Sequence, residues 1–257
     1  MPDFRVHGTS PSAEPTELVL SAEESHHLVV VNRARVGAVV VAFDGHGTEW
    51  TCELSGDRKA AAILRVRSRR LCPPLPYAIT LGQSLPKGAG MDAIVRKATE
   101  LGVVGIAPLE SDRTQVHLAG DRSDRKVEKW QAAALEAAKQ CGNAFLPEIQ
   151  PLQKAVDLMA TAADFDLKLI ASLHPGAKSL KTLLAAFRAF RATRADLASP
   201  PLRILCLIGP EGDFSPAEIS RALSVGFEPI TLGPLVLRCE TAAVYALSIL
   251  GYELQNT

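Results

Sequence analysis

The chain has no excess of charge of either sign, no paired cysteines and no long apolar run, and each of these lacks removes a class of function. Lys plus Arg and Asp plus Glu both number 28 among 257 residues. A neutral chain has no global field to draw in polyanions, so any contact with nucleic acid must come from local patches. The five cysteines, Cys52, Cys72, Cys141, Cys206 and Cys239, are scattered, odd in number and free of any CxxC pair. That argues against a disulfide framework, points to a reducing compartment and leaves no zinc spacing. No apolar run approaches the roughly 18 residues of a membrane span. The first residues carry Asp3, Arg5, Glu14 and Glu17 and no apolar signal core. The expectation is a cytoplasmic protein with no membrane and no metal partner. The patterns GxxxxGK(S/T), GxGxxG and GxSxG are absent too, which removes the phosphate loop, the dinucleotide fingerprint and the nucleophile elbow.

What is present is an ordinary globular composition, 47% apolar and 22% charged. Residues 38–43 and 49–54 flank Asp44-Gly45-His46-Gly47, a hairpin signal, and residues 60–66 supply a further strand. Ser21 followed by Glu24 suits a capping box and predicts a short helix in the stretch 21–35. Cys72-Pro73-Pro74-Leu75-Pro76 is the clearest linker, because proline fixes φ and lacks a donor. The expected domains are 1–72, a small β-rich module, and 73–257. In the second, strands at 77–83, 103–109, 167–173, 203–208 and 229–232 alternate with helices at 90–101, 123–141, 179–194, 215–225 and 241–254. That alternation predicts an α/β fold, a parallel sheet covered on both faces.

Two segments stand at strand ends. Ile208-Gly209-Pro210-Glu211-Gly212-Asp213-Phe214-Ser215 leads into a helix capped by Ser215, with Pro216 at its first position and Glu218 completing a capping box. Glycines there let a ligand approach the backbone, and ligands of open α/β sheets bind at that edge. A plain tight turn has the same appearance. Leu232-Gly233-Pro234-Leu235-Val236-Leu237-Arg238-Cys239-Glu240-Thr241-Ala242 repeats the Gly-Pro element. Its Arg238 and Glu240 stand in an apolar stretch, where charge is costly to bury unpaired. A charge pair at a helix start is the alternative.

Together these segments resemble the RsmE family, the small-subunit ribosomal RNA uridine-N3 methyltransferases of the SPOUT class. The likeness continues upstream in Lys97-Ala98-Thr99-Glu100-Leu101-Gly102-Val103, in Asp112-Arg113 and in Glu136-Ala137-Ala138-Lys139-Gln140-Cys141-Gly142. It is weaker at His27-Leu28, Arg33 and Phe43-Asp44-Gly45. The resemblance implies a SPOUT-type, trefoil-knotted parallel-sheet methyltransferase domain preceded by a small PUA-like β-barrel. It also implies S-adenosylmethionine as cofactor, 16S ribosomal RNA as partner, within the small subunit, and a homodimer. The candidate cofactor wall comprises Ala171, Ser172 and Leu173, then Ile208, Gly209, Pro210, Glu211 and Gly212, then Leu232, Gly233 and Leu237. Arg238 and Glu240 are the candidate catalytic residues, and Arg5, Arg33, Arg65, Arg67 and Arg113 the candidate RNA contacts.

Three positions depart from the family pattern. Asp213 replaces the second glycine of Gly-Pro-Glu-Gly-Gly, where a carboxylate either favours the positive sulfonium of the cofactor or faces solvent, the second being the expectation. Asn143 stands where the family commonly has arginine, and Val30-Val31-Asn32-Arg33 replaces Val-Leu-Arg. Basic residues gather at Arg65, Arg67, Arg69 and Arg70 and on one side of a helix at Arg188, Arg191 and Arg194. Two other readings stay open: a relative with the same fold and cofactor acting on another RNA base, and a non-catalytic RNA-binding or assembly protein.

Overall fold

The computed structural model describes residues 4–12, 14–192 and 201–255. The chain divides into two compact units, Met1–Pro74 with Leu135–Leu146, and Leu75–Ala134 with Pro147–Thr257.

The first unit is built on a five-stranded sheet. Its elements are β1 (Phe4–His7), β2 (Glu17–Val19), α1 (Ala22–His26), β3 (Val39–Phe43), β4 (Thr48–Gly56) and β5 (Ile63–Leu71). The sheet order is β1-β3-β4-β5-β2, with β1 parallel to β3 and the other pairs antiparallel. The β3–β4 turn is fixed by Asp44, whose carboxylate accepts from His46 N–H at 2.7 Å and Thr48 N–H at 2.9 Å. Register shifts at Thr51/Cys52 and Leu54/Gly56 interrupt the β4–β5 ladder; such bulges bend and twist a sheet, giving the curl of a PUA-like module. Val6, Leu28, Val40, Leu54 and Leu64 fill its inside. Ser21 caps α1 by accepting from Glu24 N–H at 3.2 Å. The helix continues as a π-helical turn, His27–Val31, and ends there rather than near residue 35, with Arg33 at φ 58°. Arg65, Arg67, Arg69 and Arg70 lie on β5, which runs to Leu71 at the start of the proline-rich linker.

The second unit contains β6 (Tyr77–Ser84), α2 (Gly90–Glu100), β7 (Gly105–Glu110), α3 (Asp121–Cys141, whose last residues count with the first unit), β8 (Glu148–Ile149), β9 (Gln153–Lys154) and α4 (Ala155–Ala160). There follow β10 (Leu167–Ala171), β11 (Lys178–Ser179), α5 (Leu180–Ala192), β12 (Leu202–Ile208), α6 (Pro216–Ser224), β13 (Glu228–Thr231) and α7 (Cys239–Leu254). Every strand pairing is parallel, in the order β11-β13-β10-β12-β6-β7-β8 with β9 also on β7. Strand residues alternate between two cores. Ile204, Cys206 and Ile208 pack with α2, α5 and α7, while Leu205 and Leu207 pack with α4 and α6. This is why β12 reads as an unbroken apolar run: a strand covered on both faces has no polar side.

Candidate active site

Neighbouring β13, β10 and β12 end on the same edge of the sheet, and their C-terminal loops line an open cleft. From β10 come Ala171, Ser172 and Leu173; from β12 come Ile208, Gly209, Pro210, Glu211 and Asp213. From β13 and the loop after it come Ile230, Thr231, Leu232, Gly233, Leu235, Val236 and Leu237, and the start of α7 adds Cys239 and Ala242. Of the eleven candidate cofactor residues, the structure brings all but Gly212 to this lining. Gly212 lies against Arg113, which donates from Nη1 to the Gly212 carbonyl at 2.8 Å.

Sequence reasoning missed Asp213, Ile230, Thr231, Leu235, Val236, Cys239 and Ala242 as lining residues. The available signal was their position within the two Gly-Pro segments and at the ends flanking them. Gly233 holds φ 123° with open space where a Cβ would stand, so the backbone there is exposed to any ligand. Among the described residues, the backbone N–H groups of Leu235, Val236 and Leu237 donate to no other backbone group. Apolar walls and unused backbone donors suit a ligand with a flat heteroaromatic ring, and adenine of S-adenosylmethionine fits that description.

The loop after β12 is held by reciprocal bonds. Ser215 accepts from Glu218 N–H at 3.2 Å and Glu218 accepts from Ser215 N–H at 2.8 Å, the capping box that the sequence predicts. Glu218 also accepts from Asp112 N–H at 3.0 Å, which ties the loop after β7 to α6. Glu211 accepts from Lys87 N–H at 2.9 Å. Asp213 does not face solvent as expected: it adopts φ 59° and accepts from Ser172 Oγ at 3.0 Å and Leu173 N–H at 2.9 Å. Cys239 is buried, and burial, with the Glu211 and Glu240 carboxylates nearby, pushes its thiol up to about 11.

Arg238 and Glu240 lie outside the lining. Arg238 is the exposed N-cap residue of α7, with no side-chain cap bond, and Glu240 occupies the first turn. Glu240 Oε2 stands 3.9 Å from the position a Cβ on Gly90 would take, so it faces the start of α2. Among the described residues no ion pair joins Arg238 to Glu240.

The candidate RNA contacts differ in exposure and in pairing. In the first unit, Arg5 is 13% exposed and ion-paired to Glu49 at 2.6 Å, with its guanidinium 4.6 Å from the Phe43 ring centre. Burial would raise the Glu49 pKa, but its bonds to Arg70 and Arg5 prevail and hold it below the ordinary value. Arg5 and Arg70 share a cleft with His27, Glu136, Lys139 and Gln140. Arg67 is paired with Glu53. Arg65 and Arg33 are exposed, Arg65 opposite Glu53 across the β4–β5 ladder and Arg33 in the turn after the π-helical segment. The side chains of Arg188, Arg191 and Arg194 lie outside the described residues. Among the described residues no helix is long and apolar enough to cross a membrane, and no cluster of three His, Cys, Asp or Glu side chains is placed to hold a metal ion.

Residues 73–251 match the RNA methyltransferase domain family, and residues 20–66 match the RNA methyltransferase PUA domain. Ribosomal RNA small subunit methyltransferase E of Bacillus subtilis is 30% identical, covering 91% of this chain and 89% of its own. The protein of the same name from Synechocystis is 31% identical, covering 93% and 74%. Among solved structures, a methyltransferase from Legionella pneumophila with the cofactor S-adenosylmethionine bound has a TM-score of 0.82 at 32% identity, covering 97% of both chains. Ribosomal RNA small subunit methyltransferase E from Neisseria gonorrhoeae, bound to S-adenosylmethionine, has a TM-score of 0.81 at 27% identity, covering 98% of this chain and 97% of that one.

Proposed function

The chain belongs to the ribosomal RNA small subunit methyltransferase E family, and from that premise we propose that it methylates N3 of a uridine in 16S ribosomal RNA with S-adenosylmethionine as donor. The observation that carries the reading is the convergence of both Gly-Pro loops and the end of β10 on one cleft. Bound there, the cofactor supplies an electrophilic methyl group on a sulfonium. The chain's own task is orientation, since in-line displacement at carbon needs alignment more than covalent help.

In this reading the walls from Ala171 to Leu173, Ile208 to Glu211 and Leu232 to Leu237 hold the adenosyl group. Glu240 takes the N3 proton of the uracil as N3 attacks the methyl carbon. Arg238 stabilises the negative charge that gathers on the uracil oxygens. Arg5, Arg33, Arg65, Arg67 and Arg113 meet RNA backbone. The division of labour falls at the proline-rich linker, with 1–72 gripping RNA and 73–257 performing transfer. A homodimer acting in the cytoplasm, on RNA within the small subunit, completes the reading.

The test is methyl transfer from labelled S-adenosylmethionine to small subunits taken from a strain without the equivalent enzyme, with the RNA digested to nucleosides. Label in N3-methyluridine is the expected result. Label in a different nucleoside sinks the N3-uridine assignment, and no label in any RNA despite cofactor binding sinks the catalytic reading.

A further inference from the structure

Where the family's Gly-Pro-Glu-Gly-Gly loop has its second glycine, this chain has Asp213 in the left-handed region at φ 59°. An L-residue pays for that conformation, although Asp and Asn tolerate it best. The side chain explains why it is kept. Asp213 Oδ2 accepts from Ser172 Oγ at 3.0 Å and from Leu173 N–H at 2.9 Å, and Oδ1 accepts from Phe214 N–H at 2.8 Å. Ser172 Oγ in turn accepts from His174 N–H at 3.1 Å. One carboxylate thus fastens the loop after β12 to the end of β10.

Asp213, Ser172 and Leu173 line the cleft on one side and, on the other, a second cleft with Arg113, His174 and Ser220. They form the partition between the two. A glycine at 213 would leave that partition without its cross-link. The charged side chains lining the first cleft are Glu211 and Asp213, both acidic, with no Lys or Arg among the lining residues.

We propose that Asp213 is a specificity-determining residue of the cofactor cleft, fixing the partition and placing there a negative charge that favours the cationic sulfonium cofactor over its neutral thioether product. The proposal rests on the methyltransferase reading of this cleft. Its consequence is that product leaves more readily than cofactor, because a carboxylate in the cleft wall distinguishes ligands that differ by one charge.

Calorimetric titration of the full chain with S-adenosylmethionine and with S-adenosylhomocysteine tests it. Asp213→Asn keeps an acceptor oxygen and tolerance of positive φ but removes the charge. Cofactor affinity is expected to fall roughly three- to tenfold, with product affinity changing little, as expected for one charge at a partly solvated site. Asp213→Gly restores an easy backbone and removes the cross-link. Both ligands are then expected to weaken, and amide exchange at 172–176 to quicken in the ligand-free chain. An unchanged cofactor-to-product ratio in Asp213→Asn overturns the charge role, and unchanged affinity and exchange in Asp213→Gly overturn the partition role. Wild type that binds both ligands equally overturns the proposal while the methyltransferase reading stands; wild type that binds neither overturns both.

Discussion

Inside the N-terminal unit the ammonium group of Lys139 donates to the carboxylate of Glu24, with side-chain exposures of 7% and 6%. Glu136 accepts from the same ammonium at 2.8 Å, and the second oxygen of Glu24 accepts from His7 N–H at 3.0 Å. Burial alone would lower the Lys139 pKa; the bonds to Glu136 and Glu24 together outweigh it and hold it above the ordinary value. Breaking a buried pair from one side leaves a charge without a partner, so Lys139→Met is expected to cost about 3–5 kcal/mol in urea unfolding. A loss under 1 kcal/mol would mean that Glu24 is solvated after all. Because the folded pKa is raised, this stabilisation is complete below the unfolded value of about 10.4 and is lost as pH climbs through the folded one. Wild type should therefore show an alkaline decline in Tm with a component that Lys139→Met lacks.

The β3–β4 hairpin carries a second prediction. Gly47 has φ 99°, and a Cβ there would stand 2.5 Å from Phe145 Cζ and 3.3 Å from the Cys72 carbonyl. Its N–H donates to the Ala144 carbonyl at 3.1 Å and its own carbonyl accepts from Cys72 N–H at 2.8 Å, so the backbone has no freedom to retreat. Gly47→Ala combines overpacking with an unfavourable φ, and a loss of about 2–4 kcal/mol in unfolding free energy, read from denaturant titration, is expected. Gly37→Ala is the control: φ 92° with nothing within 4 Å of the added methyl, so it carries the backbone penalty alone and should cost clearly less.

Cysteine reactivity gives a third. Burial pushes Cys206 up to about 12, and pushes Cys52 and Cys239 up to about 11, with Glu211 and Glu240 adding to the effect at Cys239. Cys72 and Cys141 are half-buried, though burial and the Glu49 carboxylate push the Cys72 thiol up as well, so exposure is what sets these two apart. Since the thiolate is the reactive form, iodoacetamide at pH 8 should label Cys72 and Cys141 well before the other three, as read by peptide mass spectrometry. Fast labelling of Cys239 would show that the cleft opens widely, or that its thiol ionises far below the value its surroundings impose.

The fold class was legible in the sequence wherever long elements carry their own signal. The βα alternation from Tyr77 on, the capping box at Ser215 and Glu218 and the Asp44 hairpin are local features, and local features can be read locally. The four-residue β1 and three-residue β2 were not legible, because strands that short exist only through pairing with β3 and β5. The membership of Leu135–Leu146 in the first unit was equally hidden, since the helix that carries it reads as one periodic stretch. At the cleft, the Gly-Pro segments and the end of β10 could be named from strand ends, but which of their residues face inward depends on the loop path. Gly212 turned toward Arg113, and Asp213 turned in toward Ser172. The ion pairs of Arg5 with Glu49 and of Arg67 with Glu53 join partners far apart in sequence, so a run of arginines looked more basic than it is.

The last prediction separates the two charges at the start of α7. Arg238 and Glu240 lie outside the cleft lining, so their loss should leave the cofactor Kd unchanged. If Arg238 steadies charge on the uracil, Arg238→Ala should lower kcat by about 10²–10³, the size seen when one such donor is removed. Arg238→Lys should recover part of that, because a point charge replaces the planar fork but not its two-pronged geometry. Glu240→Gln should also lower kcat, but in a way that depends on pH. As pH rises, uridine N3 ionises in solution, and a base in the protein becomes less needed. The deficit of Glu240→Gln should therefore shrink at alkaline pH while that of Arg238→Ala persists. A Glu240→Gln deficit constant across pH would remove Glu240 as the proton acceptor and leave it the lesser task of positioning Arg238 or the start of α2.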